Sequence, residues 1–163
     1  MSYELRSARL SDLDDLTSLS EISFSAGLVG PYEPCLIEKA LPYISHVSKP
    51  LVESGQLYVA EAGDGSLVGA GGWSREYHGM PAVDGVAHIR QFVVHPDSMK
   101  QGIGRALFHH CLDAARGISQ FDCQASLSAV AFYQSLGFCF ISGDEVILPN
   151  GVVFPTSLMR YKR

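Results

Sequence analysis

The sequence lacks the features that mark membrane proteins and nucleic-acid-binding proteins. Its 163 residues contain no apolar run as long as a membrane span. Met1–Glu4 shows no basic segment followed by an apolar one, as a secretory leader would. The formal net charge is −5, whereas nucleic-acid-binding domains are usually basic. We therefore expect a cytoplasmic protein whose partners include neither a membrane nor a nucleic acid.

Patterns that bind metals or form disulfide frameworks are also scarce. The four cysteines are far apart and include no Cys-x-x-Cys pair. They therefore predict reduced thiols that pack as small apolar residues, because a nucleophilic cysteine would need a neighbouring base. His109 and His110 are adjacent on a predicted helix, where neighbouring side chains point in different directions and make a poor chelate. We predict no metal site.

The composition favours one folded domain over residues 1–163. Hydrophobic residues make up 47% of the chain, and we find no internal repeat, linker or low-complexity tract. A chain of this length can bury a substantial core. Helices are predicted from Ser11, fading at Ser23–Gly27, and at Leu36–His46, Gly104–Arg116 and Ala129–Leu136. Strands are predicted at Tyr3–Arg9, Gln56–Ala62, Ser66–Trp73, Gln91–Val94, Phe121–Leu127, Phe138–Ser142 and Val152–Met159.

The order of these elements predicts an α/β fold with a mixed, strongly twisted sheet. The strand–helix–strand passage from Ile89 to Leu127 implies a right-handed crossover between parallel strands. Hairpins on either side, such as the turn at Gly63–Gly65, imply antiparallel neighbours. The expected sheet is therefore mainly antiparallel, with a parallel pair at its centre and helices on its faces.

The segment Gln91–Leu107 predicts a site for an anion. A strand, Gln91–Val94, ends at a turn, and Gly102 and Gly104 precede a helix. The first N–H groups of a helix have no intrahelical partner, so they attract phosphate, and glycines let it approach closely. A P-loop would need Gly-Lys-Ser/Thr here, and a dinucleotide fingerprint would need a glycine at Leu107, although Asp122 fits its acidic position. A strand–helix connection without a ligand is the remaining alternative.

Two motifs together resemble the GNAT superfamily of acetyl-CoA-dependent N-acetyltransferases. The strand–turn–helix motif is matched by Val94, His95, Pro96, Gly102 and Gly104, and the following Phe-Tyr-x-x-x-Gly-Phe motif by Phe132, Tyr133, Gly137 and Phe138. The chain departs from the family at Met99, where Arg or Gln is usual, and at Ser126, where many members have Asn.

The resemblance implies the GNAT fold, in which the central parallel strands splay apart and hold the pantetheine arm of acetyl-CoA. It implies acetyl transfer to a primary amine by direct attack in a ternary complex. Backbone groups near Phe92 and Val94 would bind pantetheine and polarise the carbonyl, and the loop before the helix would take the diphosphate. The cofactor-binding residues expected are Phe92, Val93, Val94, Lys100, Gln101, Gly102, Ile103, Gly104, Arg105, Ala106 and Ser126. The acceptor is open among small amines, antibiotics, polyamines, peptide N-termini and lysine. The oligomeric state is open too, with a homodimer as one alternative.

Two residues are the candidate catalytic groups. Within the family motif, Tyr133 is placed to protonate the departing CoA thiolate; the alternative is a core tyrosine packed beside Phe132 and Phe138. His88 is the candidate base because imidazole has an ordinary pKa of about 6.5. His78, Glu76 and an ordered-water route are its alternatives.

Two other functional classes are compatible with parts of the sequence. An acyl-CoA-binding regulatory module without catalysis is one, and Met99 is the only residue that suggests it. A dinucleotide-binding oxidoreductase is the other, and the hairpin-first order of strands argues against it. Turnover of acetyl-CoA with a panel of amines would separate an acetyltransferase from the regulatory module. Binding of NAD would identify the oxidoreductase.

Overall fold

A computed structural model describes residues 2–77 and 79–163. Within these residues the strands are β1 Tyr3–Ser7, β2 Leu57–Ala62, β3 Leu67–Ser74, β4 Val86–Val94, β5 Gln120–Ser126, β6 Cys139–Ile147 and β7 Val153–Lys162. The α-helices are α1 Leu13–Gly27, α2 Pro34–Ile44, α3 Lys49–Glu53, α4 Ile103–Ala114 and α5 Val130–Ser135. His78, one of the candidate bases, lies outside the described residues.

The strands form one mixed sheet in the order β1-β2-β3-β4-β5-β7-β6. Strands β4 and β5, joined by α4, are parallel, and their neighbours pair antiparallel. This confirms the predicted fold class. The parallel pairing is short, because it joins only Val86–His88 to Gln120–Asp122. Beyond His88 the two strands have no common ladder, and a cleft opens between their carboxyl ends.

Helices cover both faces of the sheet because each has one apolar stripe. On one face, α4 buries Ile103, Leu107, Phe108 and Cys111 against sheet residues that include Ile89 and Phe121. On the other, α1 and α3 pack on β2 through Leu16, Leu19, Leu51, Val52, Leu57 and Val59. Fully burying one such side chain stabilises the fold by about 1.5–3 kcal/mol relative to exposure. The two helical layers hold β4 and β5 at the centre of the domain.

The largest differences from the sequence-based expectation concern four elements. Strand β4 begins at Val86 rather than Gln91 and so contains His88, because its first residues pair with β3 and β5. Helix α1 does not fade at Ser23 but continues to Gly27, and Ser23 Oγ donates to the Val94 carbonyl at 2.9 Å. Helix α3 was not predicted; Ser48 Oγ caps it by accepting from the Leu51 N–H at 3.4 Å. Strand β6 extends past Ser142 to Ile147, because β7 pairs with it along its whole length. Contacts distant in sequence thus accompany the changes in α1, β4 and β6, whereas the cap of α3 is local.

The four cysteines were expected to be reduced thiols that pack as small apolar residues. All four cysteines are free thiols; Cys111 and Cys123 are buried, whereas Cys35 and Cys139 are exposed and do not pack in the core. Among the described residues, no helix is both long enough and apolar enough to cross a membrane.

Candidate active site

A bulge interrupts β4 at the cleft. Opposite β3, Gly72 pairs with Arg90 and Ala70 pairs with Val93, so β4 has one extra residue between them. Gln91 has a φ of +56°, which is uncommon for a residue other than glycine. Its Nε2 donates to the His46 carbonyl at 3.0 Å, and that contact connects the bulge to the segment before α3. Bulges of this kind redirect side chains and often lie beside active sites.

The bulge changes which face of the sheet the residues of β4 occupy. Before it, Ile89 packs under α4, and His88 therefore points to the opposite face. After it, Val93 packs with α1 rather than α4, although it is four residues from Ile89. Without the bulge, Ile89 and Val93 would share a face. The sequence of Gln91–Val94 carried no glycine or other signal for this irregularity.

The splayed strands enclose a cavity of about 170 Å³, here called the β4–β5 cleft. It is lined by Tyr77, His88, Ile89, Asp122, Cys123, Gln124 and Leu158. His88 stacks on Tyr77 with a centroid separation of 5.0 Å and an interplanar angle of 23°. Asp122, its register partner on β5, binds Arg160 Nε at 2.7 Å. The cleft therefore presents an imidazole beside the point where the parallel ladder ends.

Tyr133 lies beneath the cleft on α5. It is 6% exposed, and its ring meets Phe132 and Phe138 edge-on at centroid distances of 5.1 and 5.3 Å. Its hydroxyl lies near the Cys123 thiol, which adds to burial in raising the pKa of Tyr133, and Cys123 lines the cleft. The ring is thus a core ring, while the hydroxyl is one side chain away from the cavity.

Burial controls the protonation of this pair. It raises the pKa of Tyr133 well above its ordinary value of 10, so the phenol is protonated at neutral pH and is available as a donor. Burial also raises the pKa of Cys123 to about 12, which keeps the thiol protonated and makes it a poor nucleophile.

The segment that the sequence predicted to bind an anion, residues 100–105, forms a turn at the start of α4. Lys100 and Gly102 both have left-handed backbones, with φ of +60° and +81°. The Ala106 N–H donates to the Gly102 carbonyl at 2.9 Å, so the N–H groups of Ile103, Gly104 and Arg105 precede the helical ladder. Left-handed residues just before a helix can turn successive backbone N–H groups toward one point. Such an arrangement is suited to binding phosphate.

Three residues of this turn are held by contacts within the protein. Arg105 Nη2 donates to the Ser135 carbonyl at 3.0 Å and so connects α4 with α5. Gly104 is buried, and a Cβ added there would lie 2.8 Å from the Phe132 ring, so this glycine is required for packing of α4 against α5. Ile103 is only 1% exposed. These three residues can therefore contact a ligand mainly through their backbone.

The expected residues of β4 and β5 lie on the two sides of the cleft. The Phe92 ring fills the space over Gly71, where an added Cβ would lie 2.7 Å from it. The Val93 side chain is 6% exposed and belongs to the core under α1. Val94 ends β4 and Ser126 ends β5. Beyond Ser126, the Leu127 N–H donates to the Tyr32 hydroxyl at 2.9 Å.

The sequence-based reasoning did not identify every polar residue that the fold places here. Tyr77 and Gln124 line the cleft, and so does Asp122 from β5. Arg90 lies two residues from His88 and lines a separate cavity together with Glu76. The alternation of polar residues along β4 and β5 was the available signal. Among residues 2–77 and 79–163, no three His, Cys, Asp or Glu side chains form a metal-binding group.

Comparison with known proteins identifies the family. The model of the acetyltransferase (GNAT) domain matches residues 32–156, which is more than half of the chain. The chain belongs to the GNAT acetyltransferase family. The resemblance drawn from the two motifs is thereby confirmed.

Solved GNAT structures share the fold over nearly the whole chain. PaiA N-acetyltransferase from Thermoplasma acidophilum, in complex with coenzyme A, has a TM-score of 0.76 at 18% identity and covers 100% of both chains. A GCN5-related N-acetyltransferase from Rhodopseudomonas palustris has a TM-score of 0.76 at 20% identity, covering 100% of this chain and 97% of its own. A phosphinothricin acetyltransferase from Sinorhizobium meliloti, in complex with AcCoA, has a TM-score of 0.69 at 22% identity, covering 99% and 89%. No curated protein sequence matches the chain significantly.

Proposed function

We propose that this GNAT protein transfers an acetyl group from acetyl-CoA to a primary amine. The observation that carries the proposal is the β4–β5 cleft, which opens beside a helix start whose N–H groups are free to bind an anion. The Thermoplasma and Sinorhizobium proteins of the same fold contain coenzyme A and AcCoA. We place the catalytic domain over residues 1–163.

Acetyl-CoA would bind mainly to the protein backbone. Residues 92–94 lie on the part of β4 that has no ladder with β5, so their backbone groups can pair with the amides of pantetheine. The diphosphate would occupy the turn from Lys100 to Ala106, where Gly102 leaves open space on its Cβ side. Ser126 would face pantetheine from the end of β5.

The reaction needs no covalent enzyme intermediate, because holding both substrates together supplies much of the rate enhancement. The amine nitrogen attacks the thioester carbonyl carbon, a C–N bond forms, and the C–S bond breaks. His88 in the cleft accepts the proton that the amine loses. Tyr133 donates its hydroxyl proton to the departing sulfur and is then reprotonated from solvent. Backbone N–H groups near Phe92 and Val94 stabilise the oxyanion that forms during attack.

Thermal unfolding with and without ligand tests the binding step. Acetyl-CoA at 100 times its Kd should stabilise the fold by about 2.7 kcal/mol, and NAD should have no comparable effect. Absence of a shift with acetyl-CoA, or an equal shift with NAD, would overturn the proposal.

Release of CoA in the presence of an amine panel tests catalysis. Turnover of at least one primary amine is expected. A large thermal shift without turnover of any amine would instead support the regulatory module that binds acyl-CoA without catalysis. A homodimer and a cytoplasmic location remain predictions, to be checked by size-exclusion chromatography with light scattering and by cell fractionation.

A further inference from the structure

Arg90 is a half-buried cation without a carboxylate partner among the described residues. Its Nη1 donates to Ser74 Oγ at 3.2 Å, and no carboxylate of residues 2–77 or 79–163 lies within salt-bridge distance of it. Arg6 and Arg160, by contrast, both bind carboxylates. Desolvation lowers the pKa of Arg90, with the nearby Tyr77 opposing the change. Burying a charge is costly unless a counter-charge and hydrogen bonds compensate it, so an anionic ligand would remove an existing cost.

The Arg90 side chain lines a cavity of about 310 Å³, here called the Arg90 cavity. Its wall is formed by α3, the residue before β2 and the segment that follows β3, and comprises Ser48, Pro50, Leu51, Ser54, Gln56, Ser74, Arg75, Glu76 and Arg90. The two arginines and one glutamate give this wall a net charge of +1. The Glu76 side chain is exposed and forms no ion pair with Arg90 among the described residues. The cavity is large enough for a carboxylate and the carbon atoms attached to it.

The Arg90 cavity and the β4–β5 cleft are lined by neighbouring positions of the same two segments. His88 and Arg90 are two residues apart on β4, before the bulge, so they share one face of the sheet about 7 Å apart along the strand. Consecutive residues of the following loop also connect the two cavities, since Glu76 lines one and Tyr77 the other. A single small molecule can therefore place an amine beside His88 and an anionic group beside Arg90.

We propose that the acceptor is an amino-carboxylate, whose carboxylate binds the Arg90 guanidinium while its amine enters the β4–β5 cleft. The planar guanidinium matches a carboxylate with two parallel hydrogen bonds, and this geometry selects a carboxylate over a neutral group. The inference rests on the proposed acetyl transfer and specifies its acceptor class. Arg90 is then a determinant of specificity that takes no part in the proton transfers.

The test compares ω-amino acids of increasing length, each with its own primary amide as the neutral partner. Wild-type protein should acetylate the carboxylate member of the best pair at least tenfold more efficiently in kcat/KM. Arg90→Gln should lower kcat/KM for that carboxylate about 10–100-fold, the range for one charge-assisted interaction, and leave the amide within about threefold. Arg75→Gln is the matched control, since Arg75 lines the same cavity but donates to the Arg116 carbonyl at 3.4 Å and lies over the Trp73 ring. Arg75→Gln should preserve the preference.

The outcomes separate this inference from the proposed function. Amides used as well as carboxylates, or an equal loss for both in Arg90→Gln, would overturn the acceptor class while acetyl transfer stands. If no amine is acetylated, calorimetry with the same amino acids decides the inference directly. Binding that Arg90→Gln abolishes supports it, and no binding to wild type refutes it. If Arg90→Gln does not fold, Arg90→Lys replaces it as the test variant. It keeps the charge without the planar guanidinium and should weaken the preference for the carboxylate.

Discussion

Replacing Tyr133 by phenylalanine removes a single oxygen and tests whether that oxygen is the proton donor. The ring contacts with Phe132 and Phe138 are kept, and only the polar contact of the hydroxyl with the nearby Cys123 thiol is lost. Even a full hydrogen bond contributes only about 0.5–1.5 kcal/mol, and in a chain of this size about 1 kcal/mol lowers Tm by roughly 2–4 °C. Loss of a general acid lowers kcat by about 10²–10⁴, which corresponds to about 2.7–5.4 kcal/mol of barrier. The effect on activity should therefore exceed the effect on stability.

The assay follows CoA release with the best acceptor of the amine panel, under conditions where chemistry limits the rate. The Kd for acetyl-CoA should change little, because the hydroxyl acts on the leaving group. Tyr161→Phe is the matched control: its ring lies 5.5 Å from Phe138, centroid to centroid, in the same aromatic cluster, but Tyr161 is on β7, outside the Phe-Tyr-x-x-x-Gly-Phe motif. A kcat within about threefold of wild type in Tyr133→Phe would refute the assignment and leave Tyr133 as a core residue.

Three further predictions follow from the geometry. His88→Gln should lower kcat/KM by about 10²–10⁴ and remove the acidic limb of its pH profile, and an unchanged profile would exclude His88 as the base. Gly104→Val should lower the free energy of unfolding by about 1–3 kcal/mol through a clash with Phe132, measured in urea, and Phe132→Leu should recover part of the loss; an unchanged midpoint would contradict the packing described. The hydrogen bond from Arg6 lowers the pKa of Asp12, so the stability that Asp12 contributes is complete above its unfolded pKa of about 3.9 and is lost as pH falls toward the lower folded value. The difference in unfolding free energy between wild type and Asp12→Asn should therefore shrink from pH 5 to pH 2, and a difference that grows would be inconsistent with this pair.

Local sequence was sufficient to predict the seven strands in order, four of the five α-helices and the glycine-containing turn before α4. Alternation of apolar residues, the turn at Gly63–Gly65 and the helix after Gly104 depend on interactions within a few residues, so a short window carries the information. The crossover from β4 to β5 followed from the handedness of strand–helix–strand units, and the two motifs were sufficient to identify the family.

Tertiary contacts decided the features that shape the site. Gln91 adopts a positive φ without being glycine, because pairing with β3 and the bond to the His46 carbonyl hold the bulge in place. Helix α1 continues to Gly27 while Ser23 donates to Val94, a residue 71 positions away. Local propensity contains no information about such partners.

The protonation and pairing of the buried polar groups could be inferred only from the folded structure. Tyr133 and Phe132 are neighbours in sequence, but only packing places the Tyr133 hydroxyl near Cys123 and desolvates both. The sequence determines that Arg90 carries a positive charge. Whether a carboxylate lies beside that charge depends on where distant strands and loops are placed, and this is why the three-dimensional structure was needed to infer the class of acceptor.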